Sequence, residues 1–498
     1  MPAPPTYARL FKSVTLGTVR RPPEPEVLAW LDELGAIDPT ADEAEQLLVA
    51  LGLAERMHRM RLATSSVVDT NSGIAPPEES DPPPPKLARG LQLILEGTYP
   101  ELLDEAVDLV LTQGTFVPPQ LLPLLIPRAA AFLSEDYTRA QRYLDAGGKR
   151  GRWLAAQHPD WALLTPTYSF ATAWSAAEQP ARQAEILSAW RRVDAQTARR
   201  ALEDIWDEQS PRNQEVLLDG LQDSLEEPDH AWLRERLQPK RKGVRRRLTE
   251  LLLLAREPQT VADFQAIAIN ATAADGSIAA NPPSGEMRDL LKQYGGVKAP
   301  ESLAQRLLEI LPPEVWSEVV NMPLPRFWLG LRPLELRAAS RSILAFSNAD
   351  LIQEMVRFLL QEEPKGYDME LAGRLVQALD RESFNRLYDE LLTKEKDALR
   401  LRGFSRYLAL QRREAWSERL SKAMVTRLLE DLHNRQLDYA TQRDLGLHWK
   451  LAVPLLDTAI FPWLRRQLHT TTERYDAFGK LATRMLQVTS FRRQLHGE

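Results

Sequence analysis

The sequence contains no cysteine among its 498 residues. This absence excludes disulfide bonds, thiolate zinc sites, iron–sulfur clusters and cysteine nucleophiles. Histidine is also scarce, since no two of the seven histidines are three or four residues apart and no H-E-x-x-H motif occurs. A histidine-based metal site therefore has no support in the sequence, and we expect no cofactor.

Long apolar runs and secretory signals are missing too. The densest apolar run, residues 251–255, is far shorter than the ~20 residues that cross a bilayer. The first residues lack the apolar core of a signal peptide. We therefore expect a soluble, cytoplasmic protein without a membrane partner.

Catalytic motifs are equally absent. Neither G-x-G-x-x-G nor G-x-S-x-G occurs, and Gly-Gly-Lys-Arg-Gly at 147–151 lacks the spacing of a phosphate loop and predicts a turn before a helix. A dense acidic group predicts a solvated helix face rather than a general acid and base: Glu203, Asp204, Asp207 and Glu208. The sequence thus favours a protein that is not an enzyme.

The main charge feature is a basic run inside a mildly acidic chain of net charge −6. Its candidate interaction residues are Arg241, Lys242, Arg245 and Arg246, and its other members are Arg234, Arg236, Lys240 and Arg247. On successive helical turns such residues could bind phosphates. They could instead pair with nearby acids, namely Glu226, Glu227, Glu235 or Glu250.

Two segments rich in turn-forming residues, 65–86 and 271–300, divide the chain. The first contains four successive prolines, Pro82 to Pro85, which favour polyproline II. The predicted organisation is an N-terminal helical segment (1–64), a Pro-rich linker or surface loop (65–86), a HEAT-like helical domain (87–270), a Gly/Asn/Pro-rich connection (271–300) and a C-terminal helical-repeat domain (301–498).

Nearly all other segments show helical periodicity, and strand patterns are almost absent. In residues 348–361, apolar side chains fall on one helical face, and Asn348 is a good N-cap. The sequence therefore predicts an all-α fold.

The C-terminal block also resembles itself at an offset of about 68 residues, twice the ~34 of a common helix-pair repeat. The four predicted units begin with Arg306, Arg341, Arg374 and Arg406. Apolar residues follow two, ten and fourteen positions later: Leu308, Ile343, Val376 and Leu408; Trp316, Leu351, Phe384 and Trp416; Val320, Met355, Tyr388 and Leu420. Chance similarity among amphipathic helices is the alternative. A true repeat predicts a HEAT-like solenoid in two blocks.

Tryptophan is abundant, with twelve residues. We predict that most fill gaps between helices, where their large surface is buried. Interface hot spots favour Trp and Arg, so the best single candidate surface is Arg150, Arg152 and Trp153.

Three segments together resemble an uncharacterised bacterial family of HEAT-like helical proteins. They are residues 10–26, residues 147–161, and residues 211–255 with the pair Val244-Arg245. The chain has His158 where the family has Asn, and its Pro-Lys-Arg-Lys-Gly turn at 239–243 is basic where the family is acidic.

The resemblance implies a genomic neighbourhood of MoxR-type AAA+ ATPases, von Willebrand A-domain proteins and SWIM zinc-finger proteins. The expected function is a non-enzymatic interaction scaffold or adaptor for such an ATPase or A-domain partner. The alternative is a nucleic-acid-binding helical-repeat protein, conceivably a HEAT-like DNA glycosylase.

Overall fold

The computed structural model describes most of the chain. The described residues are 14, 25–33, 42, 44–53, 74–133, 136–158, 161–165, 169–222, 225–237, 241–279, 285–297, 301–395, 397–433, 439–472 and 476–497. They belong to two compact units, Met1–Ala75 and Pro76–Glu498. The division falls inside the predicted segment 65–86, and the predicted domains 87–270 and 301–498 both lie in the second unit. Most of motif 10–26 lies outside the described residues, as do linker positions 65–73 and Lys240.

The first unit contains helix α1 (Pro25–Glu33) and a second helical stretch at 44–53. A small apolar cluster holds them together, because Val27, Trp30 and Leu31 pack with Ala50. Leu48 and Val49 on the second stretch remain exposed.

The second unit is built from helices, as predicted, and its described residues contain no strand beyond an isolated bridge between Thr272 and Ile278. In chain order its α-helices are α2 (Pro85–Leu95), α3 (Leu103–Thr112), α4 (Leu122–Ala131), α5 (Tyr137–Ala146), α6 (Gly148–Ala156), α7 (Phe170–Ala176), α8 (Pro180–Trp206), α9 (Pro211–Asp219), α10 (Glu227–Glu235), α11 (Lys242–Leu254), α12 (Pro258–Ala271), α13 (Glu286–Gln293), α14 (Leu303–Ile310), α15 (Trp316–Val320), α16 (Leu324–Gly330), α17 (Pro333–Ala345), α18 (Ala349–Glu362), α19 (Met369–Ala378), α20 (Arg381–Lys394), α21 (Phe404–Leu410), α22 (Glu418–His433), α23 (Tyr439–Ala452), α24 (Phe461–Thr472) and α25 (Asp476–Leu495). The all-α helical-repeat fold is confirmed. Among the described residues, no helix has both the length and the apolar character needed to cross a bilayer.

The predicted repeat coincides with four helix pairs: α14 with α15, α17 with α18, α19 with α20, and α21 with α22. The short helix α16 lies between the first pair and the second. Eleven of the twelve apolar repeat positions are buried, and Leu351 is half-buried. Asn348 caps α18 as expected, since its Oδ1 accepts a hydrogen bond from the Leu351 N–H at 3.2 Å. The repeat therefore describes how these helices bury one face against their neighbours.

The apolar core does not follow the domain boundaries predicted from the sequence. One cluster joins residues 87–164 to residues 253–495. A second cluster occupies 163–252 and includes four tryptophans, Trp174, Trp190, Trp206 and Trp232, which fill gaps between helices as expected. Segment 271–300 contains α13, whose neighbour Tyr294 packs against Phe264 at a ring distance of 5.1 Å. The second cluster is thus an insertion between two parts of one larger core.

The series of helix contacts closes on itself, because α2 packs against α25. A Cβ at Gly90 would lie 2.0 Å from Leu495 Cδ2, so glycine allows this close approach without a shift of the Leu495 side chain. Nearby, the rings of Tyr99 and Phe491 are 4.5 Å apart. The first and last helices of the unit therefore cover each other.

Candidate functional site

The candidate surface at 150–153 lies on α6, which begins at Gly148 as the predicted turn-then-helix requires. Arg150 and Trp153 are half-buried, whereas Arg152 is exposed and pairs with Asp145 at 2.7 Å. The backbone N–H groups of Lys149 and Arg150 donate to the Glu78 carboxylate, at 2.9 Å and 2.8 Å. The start of this helix therefore already holds an anion, which no sequence motif predicted.

The basic run divides into paired and unpaired cations. Arg234 pairs with Glu257 at 2.7 Å and Arg236 with Glu235 at 3.2 Å. Arg247 bridges Asp219 at 2.8 Å and Glu250 at 3.0 Å. The pairing interpretation is correct for Glu235 and Glu250. Arg234 and Arg247 also pair with acids of other elements, Glu257 and Asp219, and so stabilise contacts between helices.

The remaining cations of the run cluster at the start of α11. Arg241 and Lys242 are exposed and Arg245 is half-buried, and none of the three forms an ion pair with a described carboxylate. Arg246 instead donates to the Gly295 carbonyl at 3.4 Å. Val244 and Leu248 are fully buried and fix the first turns of the helix. We name Arg241, Lys242 and Arg245 the α11 cation cluster.

The two candidate surfaces are separate features of the second unit. Leu154 and Ala155 of α6 pack in the larger apolar cluster, whereas Val244 and Leu248 of α11 pack in the inserted one. The candidate residues therefore define two places where a partner could bind rather than one site.

A cleft of about 580 Å³ lies where α3 and α5 face α25 and the loop after α21. Six of its lining carboxylates form ion pairs, most of them between different elements: Glu101 with Arg484, Asp104 with Arg139, Glu105 with Arg492, Asp108 with Arg142, Asp136 with Arg413, and Glu414 with Arg412. Sequence reasoning missed this cleft, because its groups are up to 391 residues apart and form no local motif.

Glu105 is the central acid of this network. Its carboxylate accepts from Arg492 Nε at 2.6 Å and contacts His496 Nε2 at 2.8 Å. Burial alone raises the pKa of Glu105, but the hydrogen bonds and charges of His496 and Arg492 outweigh burial, and the net pKa lies below its ordinary value. The ionised carboxylate is thus the form that the folded unit favours.

This lowered pKa predicts a pH-dependent loss of stability. A carboxylate with a depressed folded-state pKa stabilises the fold above its unfolded value of about 4.3, and the stabilisation is lost as pH falls through the folded value. We expect Glu105→Gln to cost about 1.5–3 kcal/mol at neutral pH. Urea unfolding should show the gap between wild type and variant shrinking below about pH 4.3. A gap of constant size down to pH 2 would contradict this role.

No group of three His, Asp or Glu side chains in the described part of the chain is arranged to hold a metal ion. No curated protein and no solved structure matches the chain. Residues 9–498 match the family described as "Family of unknown function (DUF5691)". Since this match spans almost the whole sequence, the chain belongs to that family.

Proposed function

We propose that the protein is a non-enzymatic interaction scaffold that binds an acidic segment of a protein partner. The observation that carries this proposal is the α11 cation cluster. Cations at a helix N-terminus face the positive end of the helix dipole, so Arg241, Lys242 and Arg245 are unfavourable there unless an anion joins them. One acid of the fold, Glu215 of α9, lies beside Gly243 in this first turn and offsets only part of the three positive charges. Residues that break a local rule with incomplete compensation within the fold are typical of functional positions.

The charged cleft supports a scaffold rather than an enzyme. Its carboxylates are engaged by arginines of neighbouring elements, as in the pair of Asp104 with Arg139 at 2.6 Å. Groups that hold helices together in this way are poorly suited to accept or donate protons during a reaction. We propose that the ion pairs of the cleft hold in place the helices that carry the binding surfaces.

The partner candidates come from the family resemblance. They are a MoxR-type AAA+ ATPase and a von Willebrand A-domain protein, with the cytoplasm as the proposed setting. Nucleic acid is the second candidate, because the same three cations could contact phosphates. The pairing of Arg234, Arg236 and Arg247 leaves fewer cations for a phosphate backbone and favours the protein partner.

A charge-reversal variant tests the proposal. We expect Arg241→Glu/Lys242→Glu/Arg245→Glu to weaken binding of the purified ATPase or A-domain protein at least tenfold, about 1.4 kcal/mol, by calorimetry. The matched control reverses Arg182, Arg386 and Lys422, which are each paired with an acid on their own helix and give the same change of net charge. The control should bind within about twofold of wild type.

Two outcomes would contradict the scaffold. One is equal binding by wild type and the α11 variant. The other is absence of binding to either protein together with tight binding of duplex or single-stranded DNA that falls steeply between low and moderate salt, which would establish the nucleic-acid alternative.

A further inference from the structure

The strap formed by residues 76–84 contacts the start of α6 through two adjacent acids. Glu78 accepts hydrogen bonds from two backbone N–H groups, those of Lys149 and Arg150. Glu79 pairs with Lys149 Nζ at 2.5 Å. The contact thus joins segments that are 70 to 72 residues apart in sequence.

Glu78 acts as an N-cap residue for α6, although it lies 71 and 72 residues before the two amides that it accepts from. The first N–H groups of a helix have no acceptor within the helix, and a side chain at the N-cap position normally supplies one. Here the N-cap is Gly147, which has no side chain, and α6 has no acid in its first turn. The protection of the Lys149 and Arg150 amides therefore depends on the strap.

The turn at the start of α6 has room for the Glu78 carboxylate because its first residue is a glycine. Gly148 has a φ of +65°, and a Cβ at this position would lie 2.6 Å from Glu78 Oε2. Glycine satisfies both requirements, since it adopts the left-handed conformation and leaves room for the anion. The turn at Gly148 thus leaves room for the Glu78 carboxylate beside the amides of Lys149 and Arg150.

The strap itself has few other means of attachment. It consists mainly of prolines and acids, and its residues outside Pro83 are exposed or half-buried. A segment of this composition cannot form a core of its own. The prolines also make the segment stiff, so a contact that fixes one residue fixes the path of the residues beside it.

We propose that the strap is a displaceable latch, in which Glu78 is an internal carboxylate ligand that covers the cationic start of α6. While the latch is closed, Glu79 neutralises the Lys149 side chain. Glu78 accepts the hydrogen bonds of the Lys149 and Arg150 backbone N–H groups. When it opens, the Lys149 side chain and the N–H groups of Lys149 and Arg150 face solvent beside Arg152 and Trp153 of the candidate surface. This inference is independent of partner binding at the α11 cation cluster.

Hydrogen exchange on the full chain tests the latch. In Glu78→Ala, the amides of Lys149 and Arg150 should exchange at least tenfold faster than in wild type, because they lose their acceptor. In the matched control Glu79→Gln, which removes only the contact with the Lys149 side chain, these amides should change less than threefold. Amides of α14 in the larger core serve as an internal reference and should not change.

A peptide of residues 76–86 then tests displacement. At millimolar concentration it should restore protection of the Lys149 and Arg150 amides in the Glu78→Ala protein, whereas the same peptide carrying the Glu78→Ala change should not. Equal exchange of these amides in wild type and Glu78→Ala would overturn the latch. Failure of the peptide to restore protection would show that the strap is not displaceable and would overturn that part of the proposal.

Discussion

Replacing Asp229 with alanine is expected to lower the free energy of unfolding by about 3–5 kcal/mol. Asp229 and Arg191 are both buried, and Arg191 Nη2 lies 2.5 Å from Asp229 Oδ2. Asp229 also accepts from Arg199 Nη1 at 3.3 Å and from the backbone N–H of Glu226 at 2.8 Å. The large cost arises because the variant removes the buried carboxylate that faces the Arg191 guanidinium.

Urea unfolding followed by circular dichroism measures this loss. The control is Glu203→Ala, which removes a partly exposed acid 3.4 Å from the same Arg199 and should cost less than about 1 kcal/mol. If Asp229→Ala destabilised the protein no more than Glu203→Ala, the buried network would not be a main stabiliser of the inserted apolar cluster.

Replacing Phe384 with alanine is the second change with a large expected effect, about 3–5 kcal/mol. Phe384 is 1% exposed, its ring lies 4.7 Å from that of Tyr388, and the Arg412 guanidinium stands 5.1 Å from its centre. The loss combines the transfer of the ring to water with the cavity that remains between α20 and its neighbours.

The repeat supplies its own control for this prediction. Leu351 occupies the equivalent position of the preceding helix pair but is only half-buried. Leu351→Ala should therefore cost less than about 2 kcal/mol, since part of the side chain already contacts water. Thermal or urea unfolding that gave equal losses for both variants would contradict the assignment of this position to the core.

Local pattern was sufficient to predict the helices and the repeat. A helical face repeats every 3.6 residues and a helix pair buries the same positions in each unit, so residues such as Trp316 and Tyr388 could be assigned to the core from spacing alone. Asn348 was predictable as a cap for the same reason, because the capping bond spans three residues.

Long-range partners could not be predicted in this way. Whether an arginine of the basic run is free depends on acids of other elements, such as Glu257, 23 residues from Arg234. The capping of α6 by Glu78 and the contact of Glu105 with His496 span 72 and 391 residues. No periodicity records such contacts. Sequence reasoning therefore found the cations of the site and only the acidic partners that lie close in sequence, Glu235 and Glu250.

The contact between α2 and α25 limits how this protein can change in evolution. An open solenoid gains or loses units at either end, and each free end needs a polar outer face. Here the first and last helices of the unit pack against each other at Gly90 and Leu495. Each end covers the other, so neither needs a polar outer face. Duplication or deletion of one helix pair would pull these two residues apart and expose apolar surface on both sides of the gap. We therefore expect members of this family to vary in loop length and to keep a constant number of helix pairs.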